Sequence, residues 1–150
     1  MTQTAANAAL YEDDFHAWTI EQAELLRAGE FSALDVANLA EEIESMGRSV
    51  RRELRSRLIV LMMHLLKWRR QSTARSRSWS LTIDEQRLQI DSLLTESPSL
   101  RPLLAALLEE AYPIARVRAA AETGLAEDAF PLACPFNADD ILSRTFLPEP

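Results

Sequence analysis

The chain has 150 residues, 47% hydrophobic and 26% charged, with a formal net charge of −7. These are ordinary globular values, enough for one domain with its own core, and they argue against a disordered or collagen-like chain. A single cysteine, Cys134, excludes an internal disulfide framework, and three glycines are too few and too scattered for a glycine-rich phosphate loop.

The N-terminal stretch MTQTAANAALYEDDF has no basic segment followed by an apolar one, so no signal peptide is expected and a cytoplasmic location is. Residues 1–10 carry no helical pattern and are expected to be a flexible N-terminus before a single helical domain, 11–150. From about Tyr11 to Arg27, aromatic and aliphatic residues recur at helical spacing, and Gly29 follows as a C-terminal cap. A second helix is expected to open at Ser32, with Asp35 three residues on. It continues through Val36, Leu39, Ile43, Met46, Val50, Leu54, Leu58, Leu61 and Leu65 to Trp68 or Arg70, always in steps of three or four. At ~1.5 Å per residue such a helix approaches 55 Å. That exceeds the ~40 Å expected across a compact chain of this size, so either the domain is elongated or the helix bends, with Gly47 as the bend point.

Residues 71–79 read as a polar connection. Thr82 and Glu85 then form the T-x-x-E pattern of a capping box for a third helix through Ile83, Leu88 and Ile90. Ser97-Pro98 restarts the chain into a fourth helix carrying Leu100, Leu103, Leu104, Leu107, Leu108, Tyr112 and Val117, kinked at Pro113 and ended by Gly124. The tail from Phe130 holds one helical turn at most, near Asp139–Arg144. The expected fold is all-α: four main helices in an elongated bundle, one long central helix, and an irregular proline-containing tail. The longest apolar run, Leu58 to His64, is far below the ~20 residues of a membrane span.

Charge is segregated. Residues 1–47 hold ten acids and one base, residues 48–83 ten bases and one acid, and residues 84–150 twelve acids and five bases. The stretch HLLKWRRQSTARSRSWS, 64–80, concentrates Arg69, Arg70, Arg75 and Arg77 between Trp68 and Trp79. Arginine beside aromatic faces suits a nucleic acid or another polyanion. The simpler expectation is that the flanking acids neutralise this layer internally. Glu41, Glu42 and Glu44, with His64 and Lys67 further along the same helix, are the candidates for acid/base or metal chemistry. Helical di-metal sites use paired Glu-x-x-His motifs, and none is present. Asp13 and His16 share a helix face without completing such a set, and Cys134 has no evident partner. No metal or other cofactor is therefore expected.

Taken together, YEDDFHAW (11–18), NLAEEIESMGRSVRREL (38–54), HLLKWRRQ (64–71), RSRSW (75–79), TIDEQR (82–87), SPSLRP (97–102), CPF (134–136) and FLP (146–148) resemble the bacterial family catalogued as domain of unknown function 29. The resemblance runs from residue 11 to 148. It implies a small, mostly helical bacterial protein and no particular activity. Its signature positions fall on Tyr11, Asp14, Phe15, Trp18, Leu39, Glu41, Glu42, Ile43, Glu44, Met46, Gly47, His64, Leu65, Leu66, Lys67, Trp68, Arg75, Ser78 and Trp79. His16 and Gln71-Ser72 depart from the family pattern. The residues favour a non-enzymatic interaction or oligomerisation module, with a protein partner or a second copy. The alternatives are a nucleic-acid-binding module using Arg69, Arg70, Arg75, Arg77 and Trp79, and a metal or acid/base site around Glu41, Glu42, Glu44 and His64.

Overall fold

The structure is a computed structural model that describes residues 3–150. Among these residues there are six α-helices, joined in places by short 3-10 turns, and no strand. The helices are α1 (Gln3–Asp13), α2 (Phe15–Ala28), α3 (Val36–Arg70), α4 (Arg77–Glu96), α5 (Leu104–Thr123) and α6 (Ala138–Leu142). The fold is all-α with one long helix, and its C-terminal region is punctuated by proline. By contact the chain divides into two compact units, Met1–Ser49 and Val50–Pro150.

In the first unit a helix stands where periodicity placed none. α1 ends at Asp13, and Asp14 caps α2 by accepting the Ala17 amide at 3.0 Å. The break arises because Asp14 leaves helical geometry to make that bond. α2 ends at Gly29, whose φ of 74° lets its amide reach back to the carbonyls of Leu25 and Leu26. α3 opens at Val36, not at Ser32, which lies in a 3-10 turn (Phe31–Ala33). Asp35 occupies the capping position. Its carbonyl accepts the Leu39 amide at 2.9 Å, and its carboxylate accepts from the Asn38 side chain at 2.8 Å. α3 then runs to Arg70, helical through Gly47.

The second unit holds the apolar core. Leu54, Leu58, Leu61, Met62, Leu65 and Leu66 of α3 are sealed against Ile83, Ile90, Leu94, Leu107, Phe130 and Ile141. Each fully buried aliphatic side chain contributes about 1.5–3 kcal/mol. α4 begins five residues before the expected capping box. Ser76 caps it by accepting the Trp79 amide at 3.2 Å, while Thr82 lies inside the helix and donates to the Ser78 carbonyl at 2.9 Å. Leu88 is exposed; the position facing the core is Arg87. Its guanidinium donates to the carbonyls of Ile141 at 2.9 Å and Asp140 at 3.3 Å, which satisfies the C-terminal end of α6. Burial lowers the pKa of that guanidinium, and Asp84 partly offsets the effect.

Ser97-Pro98 starts a 3-10 turn over Pro98–Leu103 before α5 begins. Pro102 within this turn explains why α-helical bonding waits for Leu104. α5 faces the core with Ala111, Ala115 and Ala119 at four-residue spacing, while Leu103 and Val117 stay exposed. Small residues let α5 approach its neighbours closely, so the leucine pattern over-read the buried stripe. α5 stays helical past Pro113, whose ring lies on the exposed side, and Gly124 caps it with φ 72°. The tail is tied down by Arg116, which donates to the Phe130 carbonyl at 3.1 Å and pairs with Glu127 at 3.3 Å. Tyr112 donates to the Pro131 carbonyl.

Candidate functional site

In the first unit, polar groups hold the helices together where an aliphatic core would be usual. Trp18, 2% exposed, donates its indole N–H to Asp35 Oδ2 at 3.0 Å. Gln22 Oε1 accepts the Asp35 amide at 2.8 Å, and Asn7 donates to the Ala33 carbonyl at 2.7 Å. The Gln22 Nε2 is buried without a partner among the described atoms. Tyr11, Phe15 and Trp18 form an aromatic cluster with ring centroids 4.9–5.6 Å apart. Tyr11 donates to Glu42 at 2.5 Å, which pushes the phenol up to about 12, mainly through that bond. This network locks α1 and α2 to one side of α3. It leaves another side of α3 uncovered: Val36, Ile43 and Met46 are 66%, 66% and 67% exposed.

The three glutamates therefore have local partners. Glu42 accepts from Tyr11. Glu41 and Glu44 both pair with Arg48, at 2.7 and 3.8 Å, and all three of these side chains lie in solvent. In the second unit, half-buried His64 places Nδ1 2.9 Å from the Val60 carbonyl, so Nδ1 carries the proton in the neutral ring. Among the described residues no carboxylate bonds to it. Among the described residues no group of three or more His, Cys, Asp or Glu is placed to hold a metal ion. Asp13 and His16 are both exposed. Lys67 is buried, with its ammonium 2.5 Å from Glu122 and 4.4 Å from the Trp79 ring centre. Nothing in the spacing of Lys67, Trp79 and Glu122 could have announced that contact, because Glu122 lies 55 residues away.

The Arg-rich segment divides. Arg75 is consumed internally: it donates to the Trp68 carbonyl at 2.8 Å and lies over the Trp68 ring at 5.1 Å. Arg69, Arg70 and Arg77 are exposed and have no carboxylate partner among the described residues. Internal neutralisation holds for Arg48, Arg51, Arg55, Arg57 and Lys67, all of which are ion-paired. It fails at Arg52, which is exposed with no acidic partner among the described residues, and at the end of α3. There Arg69 and Arg70 lie in the last turn, where the negative end of the helix dipole favours a cation.

Cys134 lines an apolar hollow of about 380 Å³ with Leu108, Tyr112, Pro113, Phe136 and Ile141. Burial pushes its thiol up, which keeps it protonated at neutral pH and a poor nucleophile. Among the described residues no helix is long and apolar enough to cross a membrane.

The family model described as "Domain of unknown function DUF29" matches residues 10–147. The chain belongs to the DUF29 family. No curated protein and no solved structure matches it. Several residues of the stretches that carry the resemblance have structural roles in this DUF29 chain. Asp14 caps α2, Trp18 holds Asp35, and Tyr11 holds Glu42. Lys67 and Trp79 meet in a cation–π contact, and Arg75 ties Trp68 to the connection before α4. Ile43, Met46 and Gly47 are exposed, as are Phe15, Glu41, Glu44 and Ser78.

Proposed function

We propose that this DUF29 protein is a non-enzymatic interaction module and that the uncovered side of α3 in the first unit is its binding surface. One observation carries this reading. Val36, Ile43 and Met46 are two-thirds exposed in a unit whose buried hydrophobic residue, among the described ones, is Trp18. A run of exposed aliphatic residues rimmed by charge is the usual signature of a contact surface. The chemistry-bearing residues add support, since Glu41, Glu42, Glu44, His64 and Lys67 are each engaged with groups that need no substrate. The test compares the full chain with an Ile43→Glu, Met46→Glu variant by crosslinking in cells. Adducts mapping to residues 36–47 are expected to disappear in the variant while its circular dichroism stays unchanged. Identical adducts from both chains would sink the proposal.

A second reading, nucleic-acid binding, is favoured by exposed, unpaired Arg69, Arg70 and Arg77. It requires an affinity that falls steeply with salt. It fails if reversing these three charges leaves retention of DNA and RNA unchanged.

A further inference from the structure

Within the second unit, the C-terminal end of α3 borders a hollow of about 180 Å³. Leu66, Phe130 and Pro131 give it apolar walls, Pro150 lies at its edge, and Arg69 and Arg70 supply its charge. Leu66 and Phe130 are buried, whereas both arginines are exposed, so a ligand can reach them from solvent. Carbonyls around the hollow are engaged with other donors. Phe130 accepts from Arg116 at 3.1 Å, and Pro131 accepts from Tyr112. At the end of α3, the Lys67 carbonyl accepts the Gln71 amide at 2.9 Å and the Trp68 carbonyl accepts from Arg75 at 2.8 Å. Those two bonds also blunt the negative end of the helix dipole, which opposes an anion. Neither the Arg69 nor the Arg70 guanidinium has an ion-pair or hydrogen-bond partner among the described residues. Glu149 lines a second hollow beside Arg69 and makes no ion pair with it. The first hollow therefore presents two forks of N–H donors and no acidic side chain.

We propose that this hollow binds a phosphate monoester, its head group held by Arg69 and Arg70 and its carbon side against Leu66, Phe130 and Pro131. Charge selects the head group. A phosphate monoester carries about −1.5 to −2 near neutral pH, which matches two guanidiniums. A carboxylate, or the diester of a nucleic-acid backbone, brings a single charge and leaves one arginine unbalanced. Geometry agrees, because guanidinium forks bind phosphate oxygens in pairs. Size limits the rest of the ligand. The hollow is smaller than the ~300 Å³ at which drug-sized sites begin, so a head group and a few apolar atoms fill it. Arg77, equally unpaired, does not line it. The exposed arginines are thereby divided between a concave site and open surface. This site lies in the second unit and does not depend on the surface proposed for α3 in the first.

Calorimetric titration of the full chain with phenyl phosphate, at constant ionic strength, tests this. Saturable binding with one site per chain is expected. Inorganic phosphate, which lacks the ring, and benzoate, which lacks the second charge, should each bind more weakly, benzoate by about tenfold or more. Replacing both arginines, Arg69→Gln with Arg70→Gln, should weaken phenyl phosphate by at least about tenfold, while Arg77→Gln leaves it unchanged. Arg70→Lys keeps the charge and loses the fork, so it should fall between the two with the melting temperature unaltered. A phosphoserine peptide separates the sources of the head group. Binding of phenyl phosphate alone assigns the hollow to a small phosphorylated molecule, and tighter binding of the peptide assigns it to a modified protein. The proposal is overturned by the absence of saturable binding, or by benzoate binding as tightly as phenyl phosphate. It is equally overturned if Arg77→Gln costs as much as the double variant, since the arginines then act only as a diffuse positive surface.

Discussion

At the scale of single residues, buried polar groups set the most exacting demands. Asp35 answers three of them together: it caps α3, accepts the Trp18 indole N–H and positions Asn38. Asp35→Ala removes the cap and strands a buried donor, and is expected to lower urea-unfolding stability by about 2–4 kcal/mol. Asp35→Asn keeps an acceptor oxygen and should lose clearly less. The tyrosines give a second test. Both Tyr11 and Tyr112 are pushed up to about 12 from 10.0, the first chiefly by its bond to Glu42, the second chiefly by burial. Each phenol then holds its proton more tightly folded than unfolded. The stability this gives is complete below pH 10 and is lost as pH rises towards 12. Ultraviolet titration should therefore show little tyrosinate at pH 10 in the folded chain, then a rise near 12 that accompanies unfolding. Half-ionisation at pH 10 with the fold intact would contradict both shifts. His64, the residue whose surroundings mattered most for any chemistry, bonds to a carbonyl of its own helix. That bond needs no signal beyond the helix itself, because a half-buried imidazole finds the carbonyl four residues back.

At the scale of elements, helix identity followed periodicity and helix ends followed local competition for hydrogen bonds. The long apolar series from Val36 to Leu65 does lie on one helix. Its start moved from Ser32 to Val36 because Asp35, and not Ser32, bonds the first-turn groups. The start of α4 moved to Ser76 for the same reason. Both errors came from choosing a capping pattern without knowing which candidate the surrounding chain would leave free. α5 shows the converse difficulty. Its leucines advertise a buried stripe, but Ala111, Ala115 and Ala119 occupy much of the core-facing side. Ala115→Leu is thus expected to destabilise the chain by about 1–3 kcal/mol through overpacking, measured by thermal or urea unfolding. The exposed Val117→Ala should change stability by less than about 0.5 kcal/mol.

At the scale of the molecule, burial is unequal along one continuous helix. From Leu54 to Leu66 α3 is sealed in an apolar core, whereas from Val36 to Met46 its aliphatic side chains are largely in water. Local stability should follow this division. In hydrogen exchange at low protein concentration, amides of Val36–Met46 are expected to exchange at least about a hundredfold faster than those of Leu58–Leu66, equivalent to roughly 3 kcal/mol. Equal protection along α3 would show that the first unit is held by something beyond its polar network. Charge divides in a similar way. The bases from Arg48 to Lys67 are largely met by acids of the same chain, while Arg69, Arg70 and Arg77 are left to solvent.

The amino-acid sequence by itself determined the all-α class, the long helix, the glycine caps at Gly29 and Gly124, and the family, because these depend on spacing along the chain and on residues that act on their own backbone. Only the tertiary structure decided which side of α3 is covered, that Lys67 meets Glu122 and Trp79, that Arg87 caps α6, and which arginines stay free. Those outcomes depend on side chains tens of residues apart competing for the same space and the same hydrogen bonds. For α3 the sequence offered apolar residues at every turn, and only packing separated the buried half from the exposed one.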